Sequence, residues 1–398
     1  MAVTAPLSAT HGAAHTAGAA LSARETKLRL AGALLLALAT TIFIFGAAWD
    51  IQWHPAVGRD RALTSPHLLL LGGIALSGLI SLALVLLETW RARQGRGVDD
   101  RNSTLLLGVF RAPIGLYIAG FGALLGALAF PLDDYWHTLY GIDVTLWAPF
   151  HIMIISSMVM VGTGALFALA SELNRLPGGR TRTLVEISFA LMLALALATL
   201  LLPLPQANVK EGLARIGGYE VALYPILLAF ALPLALVTAA RATRLPGAAT
   251  LMALVFLALR QALYLFVPWA MDLAVAAEGF SYRPNAPSVI ITPFAYPTAI
   301  LFAALAVDLA AWATRWRNPG LERHGLDAGR AVLATAAAAS VLATFWDRPW
   351  LKYIPTYYYP GLDVGAVALR TLPFTIVAAL LGVGAALLLI RGLAATRQ

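Results

Sequence analysis

The chain of 398 residues contains no cysteine, and Asp, Glu, Lys and Arg together make up only 12% of it. The first absence excludes disulfides, thiolate zinc sites and thiolate copper relays, so any metal must be held mainly by nitrogen and oxygen donors. The second sets the chain apart from soluble domains, about a quarter of which is charged. What fills the space is apolar: 60% of the residues are hydrophobic and the mean hydropathy is +0.78. The first 27 residues lack an apolar core ahead of Arg24 and Lys27, so they read as a disordered cytoplasmic tail rather than a cleaved signal peptide. A formal charge of +8 raises the question of nucleic acid. The basic residues sit in short loops between apolar runs instead of on one soluble face, so topology accounts for the charge and no nucleic-acid partner is expected.

Ten apolar runs are long enough to cross a bilayer: 28–48, 67–88, 107–131, 148–171, 183–203, 220–240, 249–271, 288–313, 329–346 and 367–390. The loops RARQGRGVDDR, NRLPGGRTR, RATRLPG and RWRNPGLERHGLDAGR collect many of the arginines. They alternate with loops poorer in Arg and Lys, and the positive-inside rule makes them and both termini cytoplasmic. The reading is an all-α, polytopic integral membrane helical bundle of about ten transmembrane helices, arranged as five outward-facing hairpins in a bacterial-type inner (plasma) membrane. Its expected division is a tail at 1–27, a duplicated hairpin region of four spans at 28–175, and a further six-span bundle at 176–398.

The duplication is visible in two outward loops. Both read acid-x-x-x-His, then Gly four and Asp six residues after that His, then Pro and a second His. The copies are Asp50, His54, Gly58, Asp60, Pro66, His67 and Asp133, His137, Gly141, Asp143, Pro149, His151. They hold four of the seven histidines in the chain. An acid and a histidine four residues apart share one helix face, and the second histidine opens the returning helix, so each hairpin can close a two-histidine, one-carboxylate cluster. Such a donor set suits Cu(II), Zn(II) or non-haem Fe(II) and leaves coordination positions open. Asp60 and Asp143 are within reach as acceptors for the second N–H of a metal-bound imidazole. A membrane interface also gathers Trp, Tyr, His and Asp with no ligand in view, but it does not impose the same spacing twice. A further stretch, Trp346-Asp347-Arg348-Pro349-Trp350 with Gly361 and Asp363, has the same flavour without any histidine.

At these residues the sequence resembles the copper-binding membrane subunit of the copper membrane monooxygenases, the particulate methane and ammonia monooxygenase family. That family carries an Asp-x3-His-x12-His motif with the local pattern WH....RD...T..H, met here by Asp50, Trp53, His54, Arg59, Asp60, Thr64 and His67. Its Asn-x3-His-x13-His motif is met by Trp136, His137, Thr138, Ala148, Pro149 and His151, with Asp133 in place of the asparagine. The resemblance covers about residues 45–175 and implies copper at both sets. A carboxylate in place of an amide adds charge and should tighten the hold on a divalent ion. It also implies partner subunits of the monooxygenase type, one with a soluble copper domain, of which this sequence has no counterpart; a homo-oligomer is the other assembly to consider.

Three ionisable residues fall inside apolar runs: Arg260 near the middle of the seventh, and Glu186 and Asp308 nearer the cytoplasmic ends of theirs. A charge at that depth costs about 2.5–3.5 kcal/mol on insertion scales, so each should face the bundle interior. The run YIPTYYYP at 353–360 reads as an interfacial aromatic belt. These features frame three functions. One is O2-dependent oxidation of a small apolar substrate by a copper protein. The second is non-catalytic copper uptake, storage or delivery, although seven Met and no Cys argue against a Cu(I) conduit. The third is a transporter with a pathway at Arg260 and purely structural outer motifs.

Overall fold

A computed structural model describes residues 8–58, 63–95, 103–141, 146–205, 212–314, 325–347 and 359–396. In hydrocarbon each backbone N–H and C=O must find a partner within its own segment, so long apolar runs become helices. The helices are α1 (Ser8–Ala56), α2 (Ser65–Arg93), α3 (Ile114–Tyr140), α4 (Pro149–Arg175), α5 (Arg180–Leu200), α6 (Leu223–Ala242), α7 (Ala248–Glu278), α8 (Ile291–Ala295), α9 (Ile300–Ala313), α10 (Gly325–Trp346) and α11 (Val364–Ala395). Among the described residues, nine of them are long and apolar enough to cross a membrane. The chain is an all-helical, multi-pass membrane bundle.

The run expected as an unbroken eighth span, 288–313, is instead interrupted between α8 and α9. Pro297 has no N–H to donate and Pro293 precedes it by one turn, so a continuous ladder cannot pass through Tyr296–Ala299. The groups released there are satisfied from other elements. Tyr224 Oη on α6 donates to Ala295 O (3.1 Å), and Arg260 Nε on α7 donates to Tyr296 O (3.3 Å). The Thr298 N–H donates to Asp347 Oδ1 (3.1 Å), just beyond α10.

Two short antiparallel ribbons, unforeseen in the sequence reading, occupy connections between helices. One pairs β1 (Thr104–Leu106) with β2 (Phe110–Ala112), and the other pairs β3 (Leu213–Ile216) with β4 (Tyr219–Ala222). The second turns on Gly217 and Gly218, both with positive φ (58° and 84°), as a two-residue hairpin turn requires.

The first four long helices pack as neighbours in chain order, antiparallel: α1 on α2, α2 on α3, α3 on α4. Small residues let the backbones approach. A Cβ at Gly73 on α2 would lie 2.7 Å from the Phe43 N of α1. Gly115 on α3 and Gly164 on α4 face each other so closely that a Cβ on either would strike the other's carbonyl oxygen. Hence the mouths of the α1–α2 and α3–α4 hairpins open at the same end of the bundle. In the second half, α6 packs against α11 as extensively as a hairpin pair, closing the bundle across the chain.

The opposite end is tied by charge. Helix α1 continues back beyond residue 28, through part of the stretch read as a tail, and buries Glu25, Thr26 and Arg29. The Arg29 guanidinium meets Glu88 of α2 (3.1 Å), Glu172 of α4 (3.0 Å) and Glu25 (3.0 Å), all at most 2% exposed. Arg175 adds a second cation on Glu25 (2.9 Å) and donates to Thr26 Oγ1 (2.7 Å).

This packing carries two expected outcomes. Gly164→Ile should lower the thermal unfolding midpoint of the purified protein, whereas Gly72→Ile, a position with no atom within 4 Å, should leave it unchanged. Arg29→Ala leaves buried carboxylates short of a partner and should cost about 3–5 kcal/mol, read as lost folded yield and a lower unfolding midpoint.

Candidate metal centres

Each repeated motif folds into a cluster at the mouth of its own hairpin. Asp50 and His54 lie in the final turns of α1, and His67 lies in the first turn of α2; Asp133 and His137 end α3, and His151 begins α4. The i,i+4 spacing places acid and imidazole on one face, in agreement with the sequence reading. In the first cluster Asp50 Oδ2 is 3.4 Å from His54 Nε2, and Asp50 Oδ1 is 3.2 Å from His67 Nε2. In the second, Asp133 Oδ2 is 3.5 Å from His137 Nε2 and 3.3 Å from His151 Nε2. In both clusters one ligand atom from each of the three residues lies within 4.8 Å of the other two.

The glycine four residues after the first histidine has a backbone task in both copies. Gly58 (φ 74°) and Gly141 (φ 82°) occupy positive φ where the outgoing helix ends. Gly141, with ψ 176°, sits in a region that is essentially glycine's alone. There its carbonyl faces His137 Nδ1 at 3.2 Å. Donation from Nδ1 to that carbonyl leaves the Nε2 lone pair directed at Asp133, the tautomer a metal ligand needs.

The donor geometry fits one ion per cluster. Two donors each about 2.1 Å from an ion at the tetrahedral angle stand about 3.4 Å apart, within the spread of the four carboxylate–imidazole separations. Those separations are longer than ordinary N–H···O hydrogen bonds. Moreover, Asp50 Oδ1 and Asp133 Oδ1 are buried oxygens with no hydrogen-bond partner among the described residues. A carboxylate oxygen withdrawn from water and left without a donor is costly, and a cation relieves that cost. Nitrogen and oxygen donors with open positions admit copper, zinc or iron alike.

The two centres differ in their surroundings. The segment after α7 is clamped over the first. Gln52, between Asp50 and His54, donates to Val289 O (3.2 Å) and accepts from the Ile291 N–H (2.8 Å). The Arg283 N–H donates to Ala56 O (2.8 Å), and Ser65 Oγ donates to Glu278 (2.7 Å). Trp53 packs edge-on against Phe280, with ring centroids 5.9 Å apart. A polar cleft of about 770 Å³ opens beside this clamp, lined by Val57, Glu278, Phe280, Tyr282 and Arg283. The second centre is flanked by its own aromatics, Trp136 against Tyr140 (4.4 Å) and Phe150 (5.8 Å). Phe130 of α3 meets the His67 ring edge-on at 5.6 Å, so the two hairpins touch at the level of the clusters.

The remaining singled-out residues fall elsewhere. Asp60 and Asp143 lie outside the described residues, as does most of the aromatic run 353–360. Glu186, buried, pairs with Arg182 (3.0 Å) and accepts the Arg244 N–H (2.9 Å). Asp308 accepts from Thr250 N–H and Oγ1 (2.8 Å each), capping the start of α7 from α9. Arg260 supports the α8–α9 break and lies over the Tyr264 ring at 4.9 Å.

Sequence reading missed the acids Glu88 and Glu172, yet a signal existed. Glu88 and Arg91 recur at Glu172 and Arg175 with the displacement that separates His67 from His151, 84 positions. The duplication therefore spans the whole returning helix. Gln52 had no such signal, because its partners lie more than two hundred residues away.

Replacing Asp133 with Asn removes the charge that the second cluster presents. Its affinity for a divalent ion should fall on the order of tenfold or more while the first cluster is unaffected, as checked by metal titration of the variant against wild type.

The chain matches no protein-family model, and no curated protein or solved structure matches it, so the functional reading rests on its own residues.

Proposed function

We propose that this chain is a membrane copper protein that oxidises a small apolar substrate with O2, using two hairpin sites of the kind found in the membrane subunit of the copper membrane monooxygenases. The observation that carries the reading is the twice-built cluster, in which a buried, donor-less carboxylate oxygen accompanies two imidazoles at ion-binding separations. Copper bound there would supply one-electron and O2 chemistry, and Cu(II) is the tightest-held of the divalent first-row ions on such donors.

The protein's own groups do the rest. Asp50, His54 and His67 would hold one ion, and Asp133, His137 and His151 the other. Gly141 O would keep His137 in the required tautomer. The apolar helices dissolve a substrate that partitions from the bilayer, and the aromatic residues Trp53, Trp136 and Phe130 keep water from the imidazoles. By loop charge, both clusters face the outside of a bacterial-type inner membrane and both termini face the cytoplasm. Partner subunits of the monooxygenase type, or further copies of the chain, would supply electron entry.

Metal analysis and electron paramagnetic resonance on protein purified in lipid and loaded with Cu(II) test the reading. Wild type should hold two ions per chain with nitrogen-rich signals. The double variants His54→Ala/His67→Ala and His137→Ala/His151→Ala should each lose one ion and its signal, and O2 uptake with the apolar substrate should fall in at least one of them. Equal copper content in all three proteins would overturn the site assignment. Full copper content without O2 uptake by wild type would overturn the catalytic part and leave uptake, storage or delivery.

A further inference from the structure

A third stretch carries part of the repeated sequence. Trp49-Asp50-Ile51-Gln52-Trp53 at the end of α1 is matched by Trp346-Asp347-Arg348-Pro349-Trp350 at the end of α10. The position four after the acid, histidine in both metal hairpins, is Leu351 here. The carboxylate thus persists where the imidazoles do not.

The structure gives Asp347 a different setting. It is 1% exposed, immediately after the last turn of α10. Its Oδ1 accepts from both the N–H and the Oγ1–H of Thr298 at 3.1 Å, and so caps the start of α9 at the interrupted span. Its Oδ2 is buried and has no hydrogen-bond partner among the described residues. The other ionisable groups around it are Arg260 from α7 and Tyr224 from α6, both within electrostatic reach. Neither makes a hydrogen bond to it, since Arg260 is directed at Tyr296 O and the Tyr264 hydroxyl, and Tyr224 at Ala295 O. Among the described residues α11, which also packs on α10, brings no charged group to it.

An ionised carboxylate in that position would keep one oxygen dry and unpaired, a larger cost than leaving a neutral hydroxyl unpaired. The guanidinium nearby opposes a second cation at Oδ2. A proton is small enough to enter, removes the charge, and leaves Oδ1 free to keep the helix cap. Burial pushes the Asp347 carboxyl up, while the Thr298 donors, the Ala299 N–H and Arg260 pull the other way by less.

We infer that Asp347 is a reversible proton-binding site at the α8–α9 break, protonated on Oδ2 while Oδ1 caps α9. The site is independent of the metal reading, because it shares no residue with either cluster. The break is held by the same few groups that surround the proton. Arg260 holds the last carbonyl before Pro297 and Asp347 holds the first N–H after it, so loading and unloading Oδ2 alters the charge balance across the gap in the helix.

Infrared difference spectroscopy of the full chain in lipid, stepped from about pH 4 to pH 9, reads the site directly. Wild type should show the carbonyl stretch of a buried protonated carboxyl that disappears on raising the pH, with a midpoint above the ordinary carboxylate value. Asp347→Asn should abolish that band. Arg260→Gln and Thr298→Val, which leave the carboxyl in place, should keep the band and raise proton affinity roughly tenfold each by removing a charge or a donor from the ionised form. Absence of the band in wild type, or its persistence in Asp347→Asn, would overturn the proposal. A midpoint that shifts with sodium concentration at constant ionic strength would also overturn it, by assigning Oδ2 to a metal cation. Should Asp347→Asn fail to fold, the paired shifts in Arg260→Gln and Thr298→Val decide, and unshifted midpoints in both count against the site.

Discussion

One guanidinium, Arg29, is shared by two carboxylates that occupy the same place in two copies of a hairpin, Glu88 and Glu172. In a bundle solvated by hydrocarbon, helices gain little from apolar contact with one another, so polar contacts and close backbone packing decide which helices stay together. Arg29 does this for α1, α2 and α4 at one end, and glycine contacts such as Gly73 and Gly164 carry the approach along their length. The hairpin mouths at the far end are thereby held in register, and the two three-residue clusters form there. Without that registration, acids and histidines on separate helices would have no reason to meet.

The duplication has been treated unevenly by the rest of the chain. The first mouth is clamped by the α7–α8 connection through Gln52, Ala56 and Ser65, whereas the second is enclosed mainly by aromatics of its own hairpin. Two sites with the same donors thus have different neighbours, one tied to the second half of the bundle and one not. That asymmetry couples the first cluster mechanically to the interrupted helix, since Gln52 binds the strand of chain that opens α8.

Much of this was legible beforehand because its rules are local. Hydropathy marks the spans, and a four-residue spacing at a helix end followed by a histidine at the next helix start can only converge if the turn is short. Asp50, His54 and His67 illustrate the case. The interrupted span was not legible from hydropathy, because Tyr296–Ala299 is as apolar as its flanks; only Pro293 and Pro297 hinted at it, and prolines are common in membrane helices without such a break. The Gly217-Gly218 turn was a plain hairpin signal overlooked in a loop. The burial of Glu25 and Arg29 depended on Glu88 and Glu172, partners that no local pattern identifies.

Each metal cluster draws its donors from two helices joined by a short turn. Whatever binds the three donor atoms at once is therefore a removable cross-link across the mouth of a hairpin. Ligand binding to the folded state alone adds stability that grows with the logarithm of ligand concentration. The loosest part of a hairpin, its loop end, would then stiffen or fray with the supply of metal outside the bilayer, while the Arg29 end stays fixed by covalently supplied charge. A bundle anchored at one end and metal-latched at the other converts the availability of an ion into the rigidity of a membrane surface.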